Sequence, residues 1–127
     1  MDKQTAEQKA IEILKQVVDA ISERRYGDIP SLAYTGWWTG QRLEKIIEDF
    51  LQASSLSGMD RWDVTQGTPS PNPKYQQLNF YHFNNGSGFH VDYDLTTDGE
   101  LNDLTLQMEF LYEGEGLRPV FLGLHVL

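Results

Sequence analysis

Cysteine is absent from this chain of 127 residues, which excludes disulfides, thiolate metal sites and thiol nucleophiles together and is compatible with a reducing compartment. Basic charge is scarce: 10 Lys and Arg stand against 19 Asp and Glu, for a formal net charge of −9. That balance disfavours a general affinity for nucleic-acid phosphates or an anionic membrane, and it suits a basic partner. Long apolar runs are also missing. Nothing approaches the ~20 apolar residues of a membrane span, and the opening MDKQTAEQKA has no signal-peptide core, so a cytoplasmic location is expected. Proline gathers in one stretch, QGTPSPNP, where Pro69, Pro71 and Pro73 exclude a central strand and mark a loop. No repeat or linker divides the chain, and its length suits one domain over residues 1–127 that buries about two-thirds of its unfolded surface.

Two helical stripes are present. Over residues 5–26, Ala10, Ile13, Leu14, Val17, Val18 and Ile21 recur three and four apart, with Thr5 and Gln8 as a capping box and Gly27 as a left-handed stop. Asp28 and Pro30 then suit the start of a brief helix. Thr39 precedes a third helix over 40–53, whose Leu43, Ile46, Ile47, Phe50 and Leu51 form the second stripe.

The remainder reads as sheet. A short strand is expected over 59–65, with Trp62 and Val64 on one face. YQQLNFYHF, NNGS and GFHVDYDL make a hairpin turning at Asn85-Gly86, two positive-φ positions, so that opposite partners sum to 171. His82 then faces Phe89, Phe80 faces Val91 and Leu78 faces Tyr93 on the covered face; Tyr81 faces His90, Asn79 faces Asp92 and Gln77 faces Asp94 outside. TTDGELND is a turn-rich connection to a half-buried strand carrying Leu104, Leu106, Met108 and Phe110. A three-residue Gly114–Gly116 loop sets Val120, Leu122, Leu124 and Val126 of the last strand, 118–127, beside Met108 and Leu106; a four-residue loop swaps the faces. Helical stripes and a one-sided sheet cover each other, giving an α+β class of N-terminal helices on a curved antiparallel sheet of four to five strands.

That element order resembles the nuclear-transport-factor-type cone fold, also called the cystatin-like or SnoaL-like α+β roll. The ending DLTLQMEFLYEGEGLRPVFLGLHVL is similar to the close of an uncharacterised bacterial family, in which an acidic D-L-T-L-E-type strand precedes a terminal I/L-H-V-L. The resemblance implies a fold and brings no activity. Relatives of the wider fold include isomerases, dehydratases, cyclases, transport and scaffold proteins and immunity proteins, among which fold alone does not choose.

Each candidate site has a functional and a structural reading. His90, Asp92 and Asp94 share the outer face by period-two spacing and, with Glu109 opposite His90, are weak candidates for a metal site; the structural reading is an ordinary solvated row. His82 and Tyr93 on the covered face can present a general base and a donor to a pocket, although no carboxylate on that face is evident to tune His82; the structural reading is a core-edge histidine. Tyr34, Trp37 and Trp38 in YTGWWTG can stack on a small apolar ligand or close the end of the core. GEG and TGWWTG lack the lysine and the strand-to-helix context of a phosphate loop. Tyr81, Phe83, Leu111, Phe121 and Leu127 fall on the outer parity, more large apolar groups than a wet face needs, and suit a homodimer interface. The reading that follows is a non-catalytic interaction module without a cofactor, of the immunity or accessory kind, with an acidic surface for a basic protein. The alternative is an isomerase- or hydratase-type enzyme using His82 and Tyr93 in a pocket gated by the tryptophans.

Overall fold

The computed structural model describes residues 1–62 and 76–126. Its first helix, α1 (Lys3–Ser22), buries Ala6, Ala10, Leu14, Val17, Val18 and Ile21 along one face and leaves Lys9, Glu12, Lys15 and Gln16 in water. The cap is Asp2 rather than the expected Thr5: its carboxylate accepts the Thr5 amide at 2.7 Å and the Thr5 hydroxyl at 3.1 Å, bonds that hold its pKa below the usual carboxylate value. The helix also ends before Gly27, and Arg24, at φ +58°, takes the left-handed position. Its guanidinium is anchored on Glu48 at 2.8 Å and on the Ser57 carbonyl at 2.9 Å. A 3-10 turn, Tyr26–Asp28, leads into α2 (Ile29–Leu32), with Pro30 in its first turn as expected. In α3 (Gly40–Ala53) the Thr39 hydroxyl accepts the Arg42 amide, as the cap reading required. The stripe of α3 is narrower than expected: Leu43, Ile47 and Leu51 form one buried row at four-residue intervals, and Ile46, one step off that row, is exposed.

Four antiparallel strands follow in the order β1 (Leu78–His82), β2 (Gly88–Thr97), β3 (Glu100–Glu113) and β4 (Gly116–Val126). The chain is therefore α+β, with helices at its N-terminus packed on an open four-stranded sheet. The β1–β2 register holds throughout, from Leu78↔Tyr93 to His82↔Phe89. Its turn differs from expectation. Phe83 pairs with Gly88 across a four-residue loop, only Gly86 among the loop residues has positive φ (+75°), and Asn85 instead accepts the amide and hydroxyl of Ser87. Between β2 and β3 the expected connection is a two-residue turn, Asp98-Gly99, with both residues at positive φ. The described part of the 59–65 strand, residues 59–62, is not strand but a clamp. Asp60 accepts the Thr96 hydroxyl at 2.7 Å and the amides of Asp98 and Gly99 at 3.1 and 2.8 Å, while its own amide donates to the Thr96 carbonyl. Val64, the proline-rich 69–73 stretch and Leu127 lie outside the described residues.

The last strand corrects the largest expectation. Its loop has two residues, not three: Glu113 pairs with Gly116, and Gly114 takes positive φ at the first turn position. Near the turn the register therefore brings Phe121 opposite Met108, into the core at 2% exposure, and away from the outer face assigned to it. A bulge at Leu122 then inserts one residue, and beyond it Leu124 faces Leu106 and Val126 faces Leu104, as the three-residue loop had implied. Phe89 lies at the centre of the inner face, with Phe110 stacked at 5.5 Å and Phe80, His82 and Tyr112 around it. No described buried side-chain nitrogen or oxygen lacks a hydrogen-bond partner.

Candidate functional site

The outer face of the sheet can be built row by row from the register. Tyr81, His90, Glu109 and Val120 lie side by side across the four strands; the next row is Asn79, Asp92, Gln107 and Gly123, and the next is Asp94, Thr105 and His125. Period-two spacing places these side chains together, and they hydrogen-bond to one another. His90 Nε2 meets Asp92 Oδ1 at 2.6 Å, the Gln107 amide donates to the same oxygen at 3.3 Å, and the Thr105 hydroxyl donates to Asp94 at 2.6 Å. The Tyr81 ring stands tilted 6.0 Å from His90 and is 53% exposed. Phe83 and Leu111 are half-buried at the turn end of this face.

His90 and Asp92 thus direct their polar atoms at each other instead of converging on a third point. Among the described residues no three His, Asp or Glu side chains are placed to hold a metal ion. Chemically the face is an array of acceptors, with the carboxylates of Asp92, Asp94 and Glu109 beside one accessible aromatic ring. An ammonium or guanidinium group is what such an array accommodates.

The inner-face candidates are separated. Tyr93 is buried, stacks on Trp62 with ring centroids 4.8 Å apart and takes a long hydrogen bond from Gln77 at 3.4 Å. His82 lies level with Phe89, four residues along the sheet from Tyr93, about 13 Å at strand rise. At that separation the two do not meet at one reacting atom as base and donor. The missing carboxylate does exist: Glu7 of α1 meets His82 Nε2 at 2.5 Å. No strand pattern could have revealed it, because the partner comes from a helix 75 positions away.

The aromatic loop divides. Trp38 turns inward, edge-on to Phe121 at 5.9 Å, and its indole N–H donates to the Leu122 carbonyl that the bulge leaves free, at 3.0 Å. Tyr34 and Trp37 stay out, each 61% exposed. Two clefts open on the described surface, and the lining of neither includes His82, Tyr93 or a tryptophan. One, of about 510 Å³, is lined by Asp19, Glu23, Arg25 and Arg61; the other, of about 350 Å³, lies by Arg24, Tyr26 and the start of α3. In the first, Arg25 and Arg61 both bond Glu23, and these guanidinium contacts, Arg25 foremost, pull its carboxyl below the usual value. In the second, burial and then the bond to Glu48 raise the Tyr26 phenol. Among the described residues no helix is long and apolar enough to cross a membrane.

The fold and its surfaces define an α+β domain whose helices cover one side of an antiparallel meander and whose other side carries polar rows. The chain belongs to the DUF7668 family, a domain of unknown function, whose model matches residues 18–127. No curated protein and no solved structure matches it.

Proposed function

We propose that this chain is a non-catalytic binding module that recognises a basic protein through the outer face of its sheet. The observation that carries the reading is the contrast between the faces. Behind the helices the interior is filled by Phe89, Tyr93, Leu106, Met108 and Phe110, whereas outside Asp92, Asp94 and Glu109 lie in ordered rows beside the accessible Tyr81. The Asp92 carboxylate, held by His90 and Gln107, lies on a rigid strand next to Glu109 and is already positioned for lysine or arginine, so little of its side-chain freedom is lost on docking. Phe121, one of the five residues assigned to a homodimer face, is inside, and of the four others the described ones are Tyr81, Phe83 and Leu111, the last two half-buried, which favours a basic partner over a second copy. An immunity or accessory role fits such a module. The cone-type resemblance belongs to the same proposal, supported by the order of three helices before an antiparallel sheet.

The test is a photo-crosslinking residue at position 81 of the whole protein, expressed in its own host. The expected product is a basic protein, lost when Asp92→Lys and Glu109→Lys reverse the face. Crosslinks to acidic proteins, or none together with a monomer in light scattering, would sink the reading. One observation favours a catalytic alternative of the isomerase or hydratase type, namely Glu7 orienting His82. His82→Ala leaving ligand-induced thermal shifts unchanged across a metabolite panel removes that alternative.

A further inference from the structure

The cations of this acidic chain are unevenly used. Arg24, Arg25 and Arg61 each bond carboxylates, on Glu48, on Glu23 and Asp28, and on Asp19 and Glu23. Arg42 and Arg118 make no ion pair among the described residues and lie instead over aromatic rings. Arg42 stands 4.4 Å from the centroid of Trp37, and Arg118 stands 5.5 Å from that of Tyr34. Both rings are among the most exposed large apolar groups of the described surface.

The cluster is rigidly held. Tyr34 forms a parallel bridge to β4, its amide donating to Pro119 at 3.0 Å and its carbonyl accepting from Phe121 at 2.8 Å. Trp37 is fixed edge-on to Trp38 at 5.1 Å, and its carbonyl accepts a 2.7 Å bond from Arg42 that sets the guanidinium over the ring. A guanidinium over a ring face satisfies its apolar side on the ring and leaves edge donors for the two oxygens of a carboxylate. Tryptophan, tyrosine and arginine are also the residues in which interface energy concentrates. Charge complementarity decides the occupant. Two guanidinium groups that make no ion pair among the described residues call for carboxylates, and the two accessible rings call for an apolar side chain beside them.

We infer that Tyr34, Trp37, Arg42 and Arg118 form a docking surface for an acidic, aromatic-bearing segment of a partner protein. The surface adjoins the outer face, since Tyr34 pairs with Val120 at the β4 end of the row that carries His90 and Glu109 and Arg118 lies opposite Leu111; its arginines and rings set it apart from the carboxylates there, and the inference rests on reading the chain as a binding module. A single nucleic-acid strand also stacks on aromatics, but two cations neutralise few of its phosphates, whereas they match the one or two carboxylates of a short segment.

The whole protein is used to select from a phage-displayed random peptide library, with counter-selection on the Trp37→Ala, Arg42→Gln, Arg118→Gln variant. The expected survivors are rich in Asp and Glu next to Phe, Tyr or Trp. An enriched peptide, synthesised with a fluorescent label, should bind the double variant Arg42→Gln, Arg118→Gln at least about tenfold more weakly by anisotropy. The melting temperature of that variant should change little, because both substitutions are at exposed positions and the bond lost, from Arg42 to the Trp37 carbonyl, is exposed too. Lysine at both sites should restore only part of the affinity, since it keeps the charge and loses the fork. Basic or neutral survivors, tighter binding of oligothymidylate, or survivors that the variant retains would each overturn the inference. Survivors lost on Asp92→Lys but kept by the arginine variants would overturn it too, while leaving the module reading standing; no enrichment at all counts against both.

Discussion

Two histidine–carboxylate pairs of nearly equal length sit on opposite sides of the same sheet. Glu7–His82 joins α1 to β1 at 2.5 Å across 75 positions, and His90–Asp92 joins two residues of one strand at 2.6 Å. The first depends on the helix layer being docked; the second forms wherever β2 is extended. Local chemistry is the same, and the structural consequence is not. A contact that spans layers reports on the tertiary fold, whereas one within a strand arranges a surface.

The sharpest way to break this contrast is to truncate matched residues on the two faces. Phe89→Ala removes the ring on which Phe110 and His82 pack and should cost about 3–5 kcal/mol, against about 0.5 kcal/mol or less for Tyr81→Ser. Equal losses in chemical denaturation would mean that the outer face is covered. Gly123→Ala probes the edge where the aromatic loop meets β4. The residue sits at φ +143°, and an added Cβ would lie 3.0 Å from the Trp38 ring, so a loss of about 1–3 kcal/mol with a changed near-UV signal is expected. A double-mutant cycle on Glu7 and His82 should give a coupling of about 0.5–1 kcal/mol, and the cycle on His90 and Asp92 a smaller one. The reverse order would make the strand pair the structural one. The smallest effect concerns Tyr26, whose phenol is pushed above the tyrosine value of about 10. The folded state holds this proton more tightly than the unfolded chain. The stabilisation is therefore complete below pH ~10 and is lost as pH rises through the raised folded value. Tyr26→Phe should flatten the alkaline limb of stability against pH and leave the neutral region little changed.

Much of the sheet was legible because alternation determines register where one face is buried. The β1–β2 pairing survived even a wrong turn type, since a two-residue loop at 85–86 and a four-residue loop at 84–87 are concentric and give the same partners. His90 opposite Glu109 followed in the same way. In β4 both parities are apolar, so alternation could not say that Phe121 points in or that the frame changes at Leu122. Gly123 was the one local sign of a bulge. Asp2 and Thr5 are both competent caps, and only the observed start of α1 separates them. The polar row was legible from the sequence but the arginine–aromatic surface was not, because Arg118 meets the Tyr34 ring only where a loop reaches β4 from far along the chain.

The strand order β1-β2-β3-β4 carries a kinetic consequence. Each strand reaches its neighbour through a turn of a few residues, whereas seating α1 against β1 closes most of the chain into a loop. Closure entropy grows with loop length, and contacts between chain neighbours form soonest. The meander is therefore expected to assemble before the helices arrive, and rate measurements should find substitutions at β2–β3 slowing folding while those between Glu7 and His82 mainly hasten unfolding. Until α1 docks, the side of the sheet bearing Phe89 and Val91 stands open to water, and a newly made chain is most exposed to self-association in that interval.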